Sequence, residues 1–73
     1  MGKLRVISGR KLVKVFSKFG WKEIRRNSSH IILIKPGNIV TLSIPDHKEV
    51  AKGTLRSLIR SAGLTIDEFN KAL

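Results

Sequence analysis

The sequence has no cysteine, and only five of its 73 residues are acidic. Without cysteine, no disulfide can stabilise the fold, and thiol nucleophiles and thiolate ligands are excluded. The two histidines and few acids also lack the clustering that a structural zinc requires. We therefore expect no metal and no cofactor, and a fold that depends on its apolar core.

Long hydrophobic runs are absent as well. The longest is residues 31–34, which is far too short to cross a bilayer, and the first residues do not resemble a signal peptide. These absences predict a cytoplasmic protein with no membrane partner. The length predicts a single domain spanning residues 1–73.

Positive charge dominates what is present. Fifteen lysines and arginines give a formal net charge of +10, and the sequence pI is about 11.1. A field of this sign attracts polyanions, of which nucleic acid is the abundant one. A membrane-surface protein would concentrate its charge on an amphipathic helix with a large apolar face, whereas these basic residues occur in every segment. Composition therefore favours a nucleic-acid-binding protein.

The apolar periodicity predicts a helix at 9–19 with Ser8 as its N-cap and Gly20 just beyond its end. Three strands follow at 21–26, 30–35 and 39–44, separated by turns at 27–29 and 36–38. We expect Thr54 to cap a second helix that Gly63 ends, and Thr65 with Glu68 to form the capping box of a short last helix. This order predicts an α+β protein with helices on one face of an antiparallel three-stranded sheet.

The strand at 30–35 is apolar on both faces, although so small a protein can pack helices on only one. One pair, either Ile31 with Leu33 or Ile32 with Ile34, is then left uncovered. We expect a partner to cover it.

Three cations recur at intervals of four residues at the start of the second helix and along it: Lys52, Arg56 and Arg60. On a helix they share one face, where like charges repel each other. One interpretation is a track for phosphate groups beside the helix N-terminus, and the other is an ordinary solvated face. The net charge favours the phosphate track.

His30 begins the central strand after a small polar turn, and His47 lies in the loop after the third strand. A histidine can both accept and donate a proton near neutrality because its unperturbed pKa is about 6.5. RNA supplies its own nucleophile, the 2′-hydroxyl, so one histidine suffices to cleave it without a metal. The competing interpretation is a structural histidine. Spacing alone does not decide between the two interpretations for either His30 or His47. No nucleophile elbow, P-loop or pair of carboxylates suggests another chemistry.

Several segments resemble the HicA-type mRNA interferases, also called YcfA-like proteins. The resemblance covers nearly the whole chain, and its most specific part is the Gly-Thr-Leu-Arg helix that ends in Ala-Gly-Leu. The similar segments are Ser8 to Val13, Phe19 to Trp21, Ser28 to Ile32, Ile44 to Glu49, Gly53 to Leu64 and Ile66 to Phe69.

The resemblance implies a fold like a double-stranded-RNA-binding domain, in the order α-β-β-β-α. It also implies cleavage of mRNA by one histidine, here His30, and silencing by a HicB antitoxin. Ser29 then orients the imidazole or a phosphate oxygen. Ser28 replaces the glycine of the family's Gly-Ser-His signature, which costs roughly 1 kcal/mol or more if the position requires a positive φ.

His30 acts in this hypothesis as general base toward the 2′-hydroxyl or as general acid toward the leaving oxygen, and the sequence does not choose between them. The RNA backbone is held by four basic side chains: Lys48, Lys52, Arg56 and Arg60. Two alternatives remain open. One is a non-catalytic RNA-binding module of the same fold, and the other is a basic protein with an acidic obligate partner.

Overall fold

A computed structural model describes residues 4–73, and residues 1–3 of the predicted domain lie outside the described part. The described chain forms three helices and three strands. These are α1 (Gly9–Ser17), β1 (Lys22–Arg26), β2 (His30–Ile34), β3 (Thr41–Pro45), α2 (Lys52–Ser61) and α3 (Ile66–Lys71).

The strands form one antiparallel sheet in the order β1-β2-β3. Ile31 and Leu33 of β2 pair with Ile44 and Leu42 of β3, and all four are buried in a core shared with α1 and α2. Because successive residues of a strand point to opposite faces, this face carries the helices, and no helix or strand of residues 4–73 covers the other. The predicted two-layer α+β fold is confirmed, including the order α-β-β-β-α and the short last helix.

Aromatic side chains fill the core beneath the helices. Trp21 is buried just before β1, and the rings of Phe16 and Phe69 lie 5.8 Å apart at a tilt of 54°. Burying each side chain of this size adds about 1.5–3 kcal/mol to the free energy of unfolding. A small chain without disulfides depends on this contribution. Phe19 is half-buried against the same core, so these rings are not available to stack on bases.

Helix α1 begins where the sequence predicts it, since the Ser8 hydroxyl accepts a hydrogen bond from the Lys11 N–H at 3.1 Å. Its first residue, Gly9, is buried against the end of β3. A Cβ at this position would overlap with the carbonyl oxygen of Pro45. The absence of a side chain therefore allows α1 to approach the sheet at this point. The helix ends at Ser17, two residues earlier than predicted, followed by a turn that reaches Gly20.

The predicted cap of α2 is wrong. The helix begins at Lys52, its N-cap is Ala51, and no side chain caps it. Val50 is buried, and its N–H donates to the Ile7 carbonyl at 2.9 Å, so this long-range anchor fixes where the helix can start. Thr54 therefore lies inside the first turn of α2, although threonine is favoured at the N-cap position of a helix.

Strand β3 also differs from the prediction, because it begins at Thr41 and extends through Pro45. The side-chain oxygen of Asn38 accepts the Val40 N–H at 2.8 Å, which prolongs the turn, and Ile39 is fully exposed. At the other hairpin, β1 pairs with β2 through an irregularity between Glu23 and Arg25 that interrupts the simple alternation expected for residues 21–26.

No helix among residues 4–73 is long and apolar enough to cross a membrane.

Candidate active site

His30 is the first residue of β2 and lies on the face of the sheet opposite the helices. It shares this face with Ile32 and Ile34, since the intervening Ile31 and Leu33 are buried in the core. Its neighbour across the ladder is Pro45, the last residue of β3. The imidazole is exposed, as expected for a strand that begins beside a polar turn.

The Ser29 hydroxyl oxygen lies 3.0 Å from Nδ1 of His30. If the hydroxyl donates, the ring proton is on Nε2, and if Nδ1 donates, Nε2 carries the lone pair. Among the described residues, the ring makes no other hydrogen bond or ion pair, so Nε2 is available to a ligand. The pair can therefore present either a proton donor or a proton acceptor to solvent.

Two backbone hydrogen bonds hold the turn that carries this pair. The Asn27 N–H donates to the His30 carbonyl at 2.8 Å, and the Asp46 N–H donates to the Ser29 carbonyl at 2.9 Å. Within the described part of the chain, no residue other than glycine has a positive φ. Ser28 therefore carries no left-handed strain, and the expected cost of replacing glycine there does not arise.

The loop after β3 joins this turn to the N-terminus of α1. The Gly9 N–H donates to the His47 carbonyl at 2.9 Å, and Arg10 pairs with the Asp46 carboxylate at 3.3 Å. His47 lines a separate shallow cavity of about 390 Å³ with Lys48 and Arg10 among its neighbours. No hydrogen bond joins the two histidines in the region the structure describes, so the role of His47 stays open.

The predicted phosphate-binding cations are all exposed. Arg10–Asp46 and Arg26–Glu23 are the ion pairs that the described residues form, so Lys48, Lys52, Arg56 and Arg60 are free of acidic partners. They do not surround His30, because α2 belongs to the helical layer and His30 lies on the opposite face of the sheet.

Helix α2 starts six residues after Asp46, whose backbone is bonded to the turn of Ser29. Arg56 and Arg60 then follow Lys52 at roughly 6 and 12 Å along the helix axis. The structure thus brings Ser29 and His30 into contact and arranges Lys52, Arg56 and Arg60 as a line along α2.

Gly9 and Asp46 are features that sequence reasoning missed. Their roles depend on contacts with Pro45 and Ser29, which lie far away along the chain. The only local signal was that Gly9 is an unfavourable residue for the first turn of a helix. No group of three or more possible metal-ligating side chains occurs within residues 4–73.

The model of a protein family described as the HicA toxin of bacterial toxin–antitoxin systems matches residues 9–64. The chain belongs to the HicA toxin family. The match contains both halves of the candidate site, the turn of Ser29 and His30 and the cationic face of α2. The family resemblance drawn from the sequence is confirmed.

Solved structures support the assignment. This HicA chain is similar to one in a structure titled a toxin–antitoxin complex from Streptococcus pneumoniae, with 32% identity, a TM-score of 0.71, and coverage of 80% of this chain and 98% of the other. It is also similar to a chain of a structure titled HicA3 and HicB3 toxin–antitoxin complex, with 29% identity, a TM-score of 0.66, and coverage of 82% and 98%. Among curated proteins, no match was found.

Proposed function

We propose that this HicA family member is the toxin of a toxin–antitoxin module and that it cleaves mRNA without a metal, with His30 as the catalytic group. The observation that carries the proposal is that His30 is exposed, that its Nδ1 contacts the Ser29 hydroxyl, and that its Nε2 makes no hydrogen bond among the described residues. The net charge of +10 supports a polyanionic substrate.

The reaction is an attack by the 2′-hydroxyl of one nucleotide on its own 3′-phosphorus. A bond forms between the 2′-oxygen and phosphorus, and the bond from phosphorus to the 5′-oxygen of the next nucleotide breaks. As general base, Nε2 takes the proton of the 2′-hydroxyl, and as general acid it gives a proton to the departing 5′-oxygen. The products are a 2′,3′-cyclic phosphate and a free 5′-hydroxyl.

Ser29 is a positioning residue in this mechanism. In both roles Nδ1–H donates to the Ser29 hydroxyl: the neutral ring then has its lone pair on Nε2 for the base role, and the protonated ring carries a proton on Nε2 for the acid role. The same contact therefore serves both states of the ring. Lys48, Lys52 and the two arginines of α2 hold phosphates of the RNA backbone.

A HicB-like antitoxin is the protein partner in this proposal. The uncovered sheet face carries Ile32 and Ile34, the latter 37% exposed. Ile24, at the irregular part of β1, is 53% exposed. Both similar structures are named as toxin–antitoxin complexes, and one of them contains HicB3. An antitoxin seated on this face would lie beside His30 and block it. Residues 1–73 act as a single domain in this scheme.

The test of activity is incubation of the purified chain with mRNA in the presence of EDTA, beside His30→Ala. Cleavage by the wild type alone supports the proposal. RNA binding without cleavage would favour the non-catalytic module, and weak RNA binding at physiological salt would favour a basic protein with an acidic partner. Mapping the ends of the fragments checks the proposed 2′,3′-cyclic phosphate.

A further inference from the structure

A second cleft lies at the C-terminal end of α2, where the chain turns into α3, and we call it the α2–α3 cleft. Arg56, Ile59 and Arg60 line one side, because residues three and four apart share a helix face. Residues 64–66 line the other side, and the cavity measures about 390 Å³. Arg56 and Arg60 lie roughly 6 and 12 Å along the helix axis from Lys52, the first residue of α2.

The backbone fixes the shape of this cleft. Gly63 adopts a φ of +77°, and its N–H donates to the Arg60 carbonyl at 3.0 Å. The Leu64 N–H donates to the Ile59 carbonyl, also at 3.0 Å. This pair of bonds is the Schellman motif, which reverses the chain and brings Leu64 back beside Ile59. The two walls are therefore held together by hydrogen bonds rather than by loose packing.

The floor of the cleft is apolar. Ile59 is buried, while Leu64 and Ile66 are half-buried at the core margin, so their outer surfaces face the cavity. Such a floor does not favour a bare phosphate, because a charged group pays a large desolvation penalty against hydrocarbon. It suits a flat, weakly polar ring.

The rim of the cleft is cationic. Arg56 and Arg60 are exposed and make no ion pair with any residue in the described chain, although α3 begins with two acids nearby. One of these, Glu68, has its carboxylate engaged with the Thr65 N–H at 2.8 Å. Both guanidinium groups therefore remain free to bind an anion or to stack on a ring.

We propose that the α2–α3 cleft holds one unpaired nucleotide of an RNA strand, with the base between the apolar floor and the guanidinium of Arg60 and the adjoining phosphate on Arg56. A nucleotide unites the flat ring and the negative charge that the floor and rim select. A base inside a duplex is stacked on both faces and paired along one edge, so it cannot enter the cleft. The cleft would thus select single-stranded substrates. This inference rests on the proposal that the protein acts on RNA.

The test measures the affinity of the wild-type chain for a short single-stranded 2′-O-methyl RNA by fluorescence anisotropy. The same RNA is measured with one abasic nucleotide at each position in turn, and as a duplex with its complement. Because 2′-O-methylation blocks the nucleophile, binding is measured whether or not the chain cleaves RNA. We expect one abasic position to weaken binding roughly fivefold, the size of a guanidinium–ring contact, and the duplex to bind more weakly than the single strand.

Arg60→Lys separates charge from stacking, since lysine keeps the charge and loses the planar guanidinium. Arg60→Lys should bind the intact strand and the abasic RNA that weakens wild-type binding with equal affinity. Arg25→Lys, on β1, should show the same loss of affinity for that abasic RNA as the wild type. Equal affinity of the wild type for every abasic RNA and the intact strand would overturn the inference, as would unchanged sensitivity in Arg60→Lys. If a glutamate-rich peptide binds in an Arg60-dependent way and no abasic position matters, the cleft is a peptide site and the inference is wrong.

Discussion

The Ser29 hydroxyl oxygen lies 3.0 Å from Nδ1 of His30, and this contact connects a polar turn to the proposed catalytic ring. Ser29→Ala removes the contact without disturbing the two backbone bonds that hold the turn. A hydrogen bond of this kind is worth about 0.5–1.5 kcal/mol, so we expect the cleavage rate to fall roughly two- to tenfold. Single-turnover cleavage measures the change.

Ser29→Thr is the matched control for that variant, because it retains a hydroxyl at the same position. It should keep most of the activity that Ser29→Ala loses, while both variants unfold at the same urea concentration as wild type. If alanine and threonine are equally active, Ser29 does not position the ring.

Gly9→Ala should destabilise the protein, since a Cβ at this position overlaps with the carbonyl oxygen of Pro45. Forcing atoms into such a contact costs about 1–3 kcal/mol. Gly53→Ala is the control: Gly53 is also helical, but nothing lies within 4 Å of its added Cβ. Alanine there should raise the free energy of unfolding by roughly 0.4–1 kcal/mol. Urea denaturation measures both, and equal stabilities would contradict the packing described for α1.

Local sequence signals account for much of the fold. The Thr65–Glu68 capping box forms as predicted, with Thr65 accepting from the Glu68 N–H and Glu68 accepting in return. Gly20 and Gly63 both adopt the left-handed backbone expected beyond a helix end. Each of these features depends on residues within one turn of each other, and such interactions can be read from spacing.

Features that depend on distant contacts were not predictable. The sequence predicts Thr54 as the cap of α2, but the N-cap is Ala51, next to Val50, whose N–H donates to the Ile7 carbonyl. The sequence also left open which face of β2 is buried, because Ile31 and Ile32 are chemically identical. Only the register with β3 and the packing of the helices assign Ile31 to the core.

The exposed face of β2 gives a prediction about the antitoxin. Ile34→Glu places a charge on the surface that we propose HicB covers, so the affinity for a HicB-like chain should fall at least tenfold, as for a well-buried interface residue. Ile39→Glu is the control, because Ile39 is also exposed but lies outside the strands, in the β2–β3 turn. Titration calorimetry compares the two, and equal losses would place the antitoxin elsewhere.

The line of cations on α2 predicts how RNA binding depends on salt. Replacing Arg56 and Arg60 together with alanine should lower the slope of log affinity against log salt by about one to two units, since each phosphate contact on a single strand contributes roughly 0.7. Lys11 and Lys14, exposed on α1, serve as a control pair of equal charge. If the slope does not respond to the arginines, or responds equally to both pairs, the face of α2 is merely solvated.

The central claim is that His30 cleaves RNA without a metal, and its most direct test is the single-turnover rate of mRNA cleavage by wild type and His30→Ala, each in EDTA. Loss of a general acid or base slows a reaction by about 10²–10⁴-fold. Because His30 is exposed, its removal should leave the unfolding transition and RNA affinity nearly unchanged. The account predicts undiminished wild-type cleavage in EDTA and a folded, RNA-binding, inactive His30→Ala. Equal cleavage by the two proteins, or wild-type activity that disappears on chelation, would contradict it.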